Sequence, residues 1–159
     1  MESASVIKNN IILIMETDKL QERACSEVMN YLTRKPIPTA IIAANDFIGE
    51  GVVSAIYKCG LSLPDDLSFL MFDDPKWASF FPTPLTVIKQ PAYQMGLTAA
   101  SMLIDKIVKK NRTEKIIKRL SADLIVRQSV INIVTFTQIF ICRGYEKGSI
   151  HDTSFIKTA

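Results

Sequence analysis

The sequence predicts an α/β domain in which helices flank a mostly parallel sheet. Short apolar runs alternate with segments whose apolar residues recur at helical spacing, in the order β-α-β-α-β-loop-β-α-β. The run "LSFLMF" (Leu67–Phe72) is apolar at five of its six positions. A strand that is apolar on both faces is typical of a parallel sheet covered by helices on both sides.

Three strands and two helices are predicted in the first half of the chain. The strands are the apolar runs at Asn10–Glu16, Thr39–Ala44 and Leu67–Phe72. Helical spacing predicts a first helix over Asp18–Arg34, which the two prolines of "KPIP" end. The second helix follows "AAND" and ends at Gly60, a residue type favoured just beyond a helix C-terminus.

The second half begins with a predicted loop at Asp73–Pro84, which contains three prolines. A fourth strand is predicted at Leu85–Gln90, and an amphipathic helix at Tyr93–Lys109. The segment Ala122–Ser129 is the last short strand of this pattern. We therefore expect these elements to complete the sheet begun in the first half.

The final thirty residues differ in composition from the rest. The run Val130–Cys142 is β-branched and aromatic, and a polar segment without periodicity follows it. We favour the interpretation that this is an extra edge strand followed by a frayed tail. The other interpretation is a segment foreign to the fold, which would expose an aggregation-prone strand. We divide the chain into residues 1–129 and an atypical C-terminal extension, residues 130–159.

Composition and charge argue against several classes of function. The chain has 159 residues, 48% apolar and 22% charged, with a net charge of +3. Nucleic-acid binding would favour a concentrated stripe of Lys and Arg. The basic run Lys106–Arg119 has no interleaved aromatic residues, so we interpret it as a solvated helix end and loop.

Cysteine and histidine usage argues against metal sites and disulfides. Three cysteines lie far apart without a CxxC motif, and the single histidine is His151. The N-terminal residues do not form a secretory signal, and no run approaches the length of a membrane span. These features predict a cytoplasmic protein without a metal.

Catalytic and cofactor motifs are absent from the sequence. It contains no GxSxG elbow and no phosphate-binding GxGxxG or GxxxxGK[ST] motif. The "GEG" at Gly49–Gly51 follows a strand, but it falls inside the helical pattern rather than in a turn. We therefore predict that the protein is not an enzyme and holds no cofactor.

Polar pairs follow two of the predicted strands, and the carboxyl ends of parallel strands form the usual ligand crevice. Asn45 and Asp46 follow one strand, and Asp73 and Asp74 follow the next. An amide that donates and accepts hydrogen bonds, beside acceptor-only carboxylates, suits a neutral polyhydroxyl ligand. Aromatic residues of the loop can supply the apolar wall of such a site, and these are Trp77 and Phe80.

Each of these residues also has a structural interpretation. Asn and Asp are both favoured N-caps, and for Asp46 we favour the cap, whereas for Asn45 both roles stay open. A capping box is excluded because Gly49 stands three residues after Asp46. For Asp74 we favour a cap before Pro75. The indole of Trp77 suits a packing contact as well as a ligand.

Four blocks of the sequence resemble the effector-binding domain of LacI/GalR-type bacterial transcription repressors. The blocks are "TAIIAAND", "GLSLPDDLSFLMFDD", "PLTVIKQP" and "MGLTAASMLIDKI", and "LIVRQS" follows them. They occur in the order and spacing of that family. The resemblance covers about Pro38 to Ser129, and more loosely Ile11 to Lys35.

The resemblance implies a periplasmic-binding-protein-like (type I) fold, in which two lobes enclose a sugar or another small effector. It assigns effector contacts to Asn45, Asp73 and Gln90. The chain resembles the C-terminal part of such a domain: the second lobe plus the helix Tyr93–Lys109, whose apolar face is then expected to lack its partner. The N-terminal lobe units and the DNA-binding helix-turn-helix have no counterpart in this sequence.

Two functional hypotheses follow from the resemblance. In the first, the chain is a sensor that binds a sugar-like effector and dimerises, while a helix-turn-helix outside this sequence binds DNA. In the second, it is a protein-interaction module that dimerises without sensing a ligand. The family's dimer contacts would fall on Phe47–Lys58 and on the loop around Phe80 and Phe81.

Overall fold

The computed structural model describes residues 10–16, 19–34, 37–108, 115–131 and 139–145. Six strands and four helices lie in these ranges. The strands are β1 (Asn10–Glu16), β2 (Ala40–Ala43), β3 (Ser68–Phe72), β4 (Thr86–Lys89), β5 (Asp123–Ile125) and β6 (Ile139–Tyr145). The helices are α1 (Leu20–Leu32), α2 (Asp46–Lys58), α3 (Lys76–Phe80) and α4 (Ala92–Val108).

The six strands form one sheet in the order β1-β6-β2-β3-β4-β5. All neighbours are parallel except β4 and β5, which are antiparallel. This topology confirms the predicted α/β class with a mostly parallel sheet. Each strand and helix predicted before residue 110 is present, with ends that differ from the prediction by up to two residues.

Three elements differ from the prediction. The loop predicted over Asp73–Pro84 contains the short helix α3, and the strand predicted over Ala122–Ser129 is only three residues long. The strand expected at an edge of the sheet is β6, which lies inside it, between β1 and β2. The tail at residues 146–159 and the linking residues 132–138 lie outside the described part of the chain.

One face of the sheet carries the core. The register pairs Ile41 with Phe69 and Ala43 with Met71, and all four side chains are fully buried. At the alternate positions, the buried residues Ala40, Ser68 and Thr86 begin β2, β3 and β4, and the later residues are half-buried: Ile42, Leu70, Phe72 and Ile88. Because successive side chains point to opposite faces, the described residues cover one face completely and the other only in part.

Two glycines let α2 approach its neighbours closely. A Cβ atom on Gly51 would lie 2.7 Å from the Cβ of Ala24 in α1, and one on Gly49 would lie 2.5 Å from the Sδ of Met71 in β3. Both values are shorter than van der Waals contact. The cost of glycine inside a helix is therefore offset by packing against α1 and the sheet.

Helix α2 ends as the sequence predicts. Cys59 caps it, and Gly60 follows with a φ of 72°, in the left-handed region that glycine adopts without strain. The N–H of Leu61 donates to the carbonyl of Ile56, 3.1 Å away, and satisfies one of the last helical carbonyls.

The helix α4 contributes no buried residue, which agrees with the expected unpartnered apolar face. Seven of its large apolar side chains are exposed: Tyr93, Met95, Leu97, Leu103, Ile104, Ile107 and Val108. In the basic run, Lys115, Lys118 and Arg119 are exposed, whereas residues 109–114 lie outside the described ranges.

We predict that Gly51→Ala destabilises the protein by about 1–3 kcal/mol, because the added methyl group overlaps α1. Urea denaturation followed by circular dichroism measures this loss. Gly96→Ala in α4 is the matched control, since a Cβ there meets no atom within 4 Å. The control is expected to raise stability by about 0.5–1 kcal/mol. Equal effects of the two substitutions would contradict the packing role of Gly51.

Candidate functional site

The three predicted site residues follow three adjacent parallel strands. Asn45 comes two residues after β2, Asp73 directly after β3, and Gln90 directly after β4. The register pairs Ala43 with Met71, so residues 45 and 73 stand at the same level beyond their strands. The parallel order therefore brings all three to one edge of the sheet, the edge at which ligands bind in open α/β sheets.

Asp73 and Gln90 are in direct contact at this edge. The Nε2 of Gln90 donates to the Oδ1 of Asp73, with 2.9 Å between the two atoms. The backbone N–H of Asp73 donates to the carbonyl of Ile88, 3.0 Å away, which ties the end of β3 to β4. Asp73 has a φ of 72°, a left-handed conformation that Asp and Asn tolerate better than most residues.

Asn45 is the N-cap of α2. Its backbone is extended, with φ −159° and ψ 176°, and its Oδ1 accepts from the N–H of Ile48 at 2.8 Å. The cap occupies the carbonyl of the side chain and leaves its NH₂ group as a donor. Within the described residues, Asn45 forms no hydrogen bond with Asp73 or Gln90.

The interpretation of Asp46 as the cap is wrong. Asp46 is the first residue of α2, and its Oδ1 accepts from the N–H of Phe47 at 2.9 Å. A carboxylate in the first turn is stabilised by the free N–H groups and the positive end of the helix dipole. Asp46 thus stabilises the start of α2 as its first helical residue, one position after the N-cap.

The interpretation of Asp74 as a turn cap is also wrong. Its Oδ1 lies 2.8 Å from the Nη2 of Arg127, in an ion pair whose side chains are only 15% and 17% exposed. The Nη1 of Arg127 donates to the carbonyl of Leu85 at 2.8 Å, and its backbone N–H donates to the Oγ1 of Thr86 at 2.9 Å. Asp74 therefore joins the segment after β3 to the segment after β5, and Arg127 joins both to the start of β4.

Arg127 is not among the residues that the sequence predicts for this region. Its partner Asp74 is 53 positions away, so no local spacing relates the two residues. The block "LIVRQS" contains Arg127, but only the pairing of β4 with β5 places it near the end of β3.

The two predicted aromatic residues have different environments. Trp77 packs against the core, and its ring meets that of Phe81 edge to face, with centroids 6.1 Å apart. Phe81 makes a second edge-to-face contact, with Tyr57 of α2, at 5.5 Å. Phe80 is 75% exposed. The packing interpretation of Trp77 is therefore the one that the structure supports.

A cavity of about 480 Å³ opens beside the site, between α4 and the segment 115–122. Its lining is mostly apolar and includes Met95, Met102, Ile117 and Leu120. Of the three predicted site residues, only Gln90 lines it. The volume is in the range of small-molecule sites, about 300–1,000 Å³.

Among the described residues, the carboxyl group with a clearly shifted pKa is that of Asp66, which lies away from this edge. Ser62 donates to the Oδ2 of Asp66 from its backbone N–H and from its hydroxyl, both at 2.7 Å, and these bonds lower the pKa of the carboxyl. Asp66 precedes β3, at the opposite end of the strand from Asp73. This interaction stabilises a turn rather than the site.

Two other kinds of feature are absent from the described ranges. No three His, Cys, Asp or Glu residues there are grouped so as to hold a metal ion. None of the described helices has both the length and the apolarity needed to cross a membrane.

Residues 3–130 match the family described as the periplasmic binding protein-like domain, which is most of the chain. The chain belongs to this family. The predicted periplasmic-binding-protein-like fold is thereby confirmed, and the matched segment contains all three candidate site residues.

Individual members of the family with similar sequences are transcription regulators. The HTH-type transcriptional repressor PurR of Photobacterium profundum is 31% identical over 129 residues, which are 81% of this chain and 38% of the repressor. A putative LacI transcriptional regulator from Bacillus cereus subsp. cytotoxis NVH 391-98 is 32% identical, with a TM-score of 0.66. That structural match covers 73% of this chain and 41% of the regulator.

A third similar protein is a LacI family transcriptional regulator from Enterococcus faecium, whose crystal structure contains bound ribose. It is 27% identical with a TM-score of 0.60, over 69% of this chain and 39% of the regulator. The resemblance to LacI/GalR-type effector-binding domains is confirmed by these matches. The chain spans about two fifths of the length of these regulators.

We predict that Arg127→Ala destabilises the protein by about 2–3 kcal/mol, because it leaves the half-buried carboxylate of Asp74 unpaired. Chemical denaturation measures the change. Asp73→Asn is the matched comparison, since Asn also tolerates a positive φ, and it is expected to change stability by less than about 0.5 kcal/mol. A loss at Asp73 as large as that at Arg127 would show that Asp73 is structural.

Proposed function

We propose that this chain is the ligand-sensing part of a LacI/GalR-type transcription regulator that binds a sugar-like effector through Asn45, Asp73 and Gln90. The hydrogen bond between Asp73 and Gln90, at the carboxyl edge of the sheet, is the observation that carries the proposal. Residues 1–129 form the sensing part in this proposal, and the regulator acts in the cytoplasm. DNA is bound by a helix-turn-helix outside this sequence.

The chemistry of the three side chains suits hydroxyl groups. The carboxylate of Asp73 accepts hydrogen bonds, the NH₂ group of Asn45 donates them, and the amide of Gln90 does both. A sugar hydroxyl can donate to Asp73 and accept from Asn45 at the same time. The bound ribose of the Enterococcus faecium regulator supports this class of ligand.

The apolar cavity beside Gln90 supports the proposal that the site binds a small molecule. Small-molecule sites combine an apolar lining with a few polar groups that fix orientation. The edge residues supply the polar groups, and the surface near Met95 and Met102 supplies an apolar neighbour. In the full regulator, further effector contacts come from the three fifths of the protein that this chain does not span.

We predict that Asn45→Asp weakens effector binding by about tenfold while it preserves stability. Asp keeps the capping oxygen for the N–H of Ile48 but removes the NH₂ donor, and one lost hydrogen bond is worth about 1.4 kcal/mol at most. Isothermal titration against a panel of sugars, including ribose, and purines identifies the ligand and measures the change.

Two variants complete this titration experiment. Asp73→Asn is expected to weaken binding as well, whereas Gly96→Ala, in α4, is expected to leave it unchanged. If a ligand of the panel binds wild type and both edge variants with equal affinity, the assignment of Asn45 and Asp73 to the site is incorrect.

The second candidate function is a protein-interaction module that dimerises through α2 and α3. The side chains of Phe47 and Phe80 are 60% and 75% exposed, and Tyr57 is 42% exposed. These aromatic residues lie on the two segments that the family resemblance assigns to the dimer. Exposed aromatic side chains are enriched at protein interfaces, which favours this use of the surface.

We predict that the double variant Phe47→Ser and Phe80→Ser weakens dimerisation by about tenfold or more, because two apolar contacts are lost. Analytical ultracentrifugation over a range of concentrations measures the dimer constant. Tyr93→Ser, on the exposed face of α4, is the control and should leave the constant unchanged. A wild-type chain that stays monomeric throughout would exclude this function, and an effect of Tyr93→Ser alone would move the interface to α4.

A further inference from the structure

The strand β6 lies in the interior of the sheet although its sequence lies outside the family match. The match ends at residue 130, and β6 begins at Ile139. Seven positions of β6 pair with β1, from Asn10 with Ile139 to Glu16 with Tyr145. Four positions pair with β2, from Ala40 with Ile139 to Ala43 with Cys142.

Both neighbours of β6 depend on it for backbone hydrogen bonds. Among the described strands, β1 lies at an edge of the sheet and has β6 as its one neighbour. Without β6, β1 and the adjoining side of β2 would face each other across a gap one strand wide. Unpaired N–H and C=O groups on two strands are costly when buried and promote association when exposed.

The chain after β5 runs toward this gap as far as Ile131, the last residue described before β6. The buried Ser129 donates from its Oγ to the carbonyl of Phe69 at 2.6 Å and accepts from the N–H of Thr86 at 2.8 Å. Two residues later, the N–H of Ile131 donates to the Oγ of Ser68 at 3.3 Å. The segment thus crosses from β4 to β3 at the amino end of the sheet.

The distance between Ser68 and the start of β6 is short compared with the length that the connecting residues can span. Ser68 pairs with Ala40 of β2, and Ala40 pairs with Ile139, so β6 begins two strands from Ser68. Two strand spacings amount to about 10 Å. The eight residue steps from Ile131 to Ile139 can span up to about 26 Å. The same chain can therefore deliver β6 to the gap.

The geometry points to a strand-accepting site between β1 and β2, whose occupant is this chain's own segment Ile139–Tyr145. The ligand that the site takes is an extended peptide bound in parallel to both walls. Main-chain hydrogen bonds to two neighbouring strands hold it, as in other complexes formed by strand addition. The C-terminal extension thus has a definite role, which is to complete the sheet from within one molecule.

Disulfide cross-linking in the full-length chain tests this assignment. Cys142 is the register partner of Ala43, so Ala43→Cys puts cysteines at two directly paired positions of neighbouring parallel strands. Ile42→Cys is the matched control, because its side chain points to the opposite face. Both variants are oxidised at low protein concentration, digested with trypsin and analysed by mass spectrometry.

The expected result is an intramolecular disulfide between residues 43 and 142 in Ala43→Cys. Its yield should exceed that of the 42–142 bond in Ile42→Cys by about tenfold or more, since disulfide geometry is restrictive. Equal yields would overturn the register and with it the site. A 43–142 bond between two chains would overturn the assignment to the chain's own segment and show that a second copy supplies the strand.

Hydrogen–deuterium exchange provides a second test. It uses the unsubstituted protein, so its result does not depend on any effect of the cysteine substitutions. Amides of Ile139–Cys142 should exchange as slowly as those of β3, because these positions of β6 are paired on two sides, as β3 is. Exchange of this segment at the rate of an unfolded peptide would overturn the proposal.

Discussion

The parallel pairing of β2, β3 and β4 is the constraint on which both the core and the candidate site depend. Parallel neighbours need a long crossover, and α2 supplies the one between β2 and β3. The contacts at Gly49 and Gly51 hold this crossover tightly against the sheet and α1. The same pairing aligns the carboxyl ends of the strands, so Asp73 meets Gln90 because β3 and β4 are neighbours.

Local patterns in the sequence were sufficient to predict most of this arrangement. Apolar runs and helical spacing report directly on which side chains are buried, so they located β1 to β4 and the helices α1, α2 and α4. The positions of Asn45, Asp73 and Gln90 at one edge follow from the parallel order of their strands, and the family resemblance selected them. Side-chain partners were predicted less well, because they depend on contacts between distant segments.

Three particular cases show why. Asn45 and Asp46 are both residue types that favour the N-cap position. Which of them caps the helix depends on the residue at which the backbone changes from extended to helical. Sequence patterns do not locate a helix end to a single residue. The ion pair of Asp74 with Arg127 exists only after β4 and β5 have paired. For β6, a β-branched composition indicates a strand but carries no information about its neighbours in the sheet.

The helix α4 has an apolar face that is not packed, and it also lines the cavity beside the candidate site. It has 17 residues and buries none of them, whereas most of the stability of a helix in a protein comes from packing of its apolar face. Its apolar face therefore needs a covering surface to be stable. Met95 and Met102 of this helix also line the cavity that reaches Gln90. Any polypeptide that covers α4 along this side also encloses the space beside the candidate site, so packing of the helix and closure of the site are coupled by geometry.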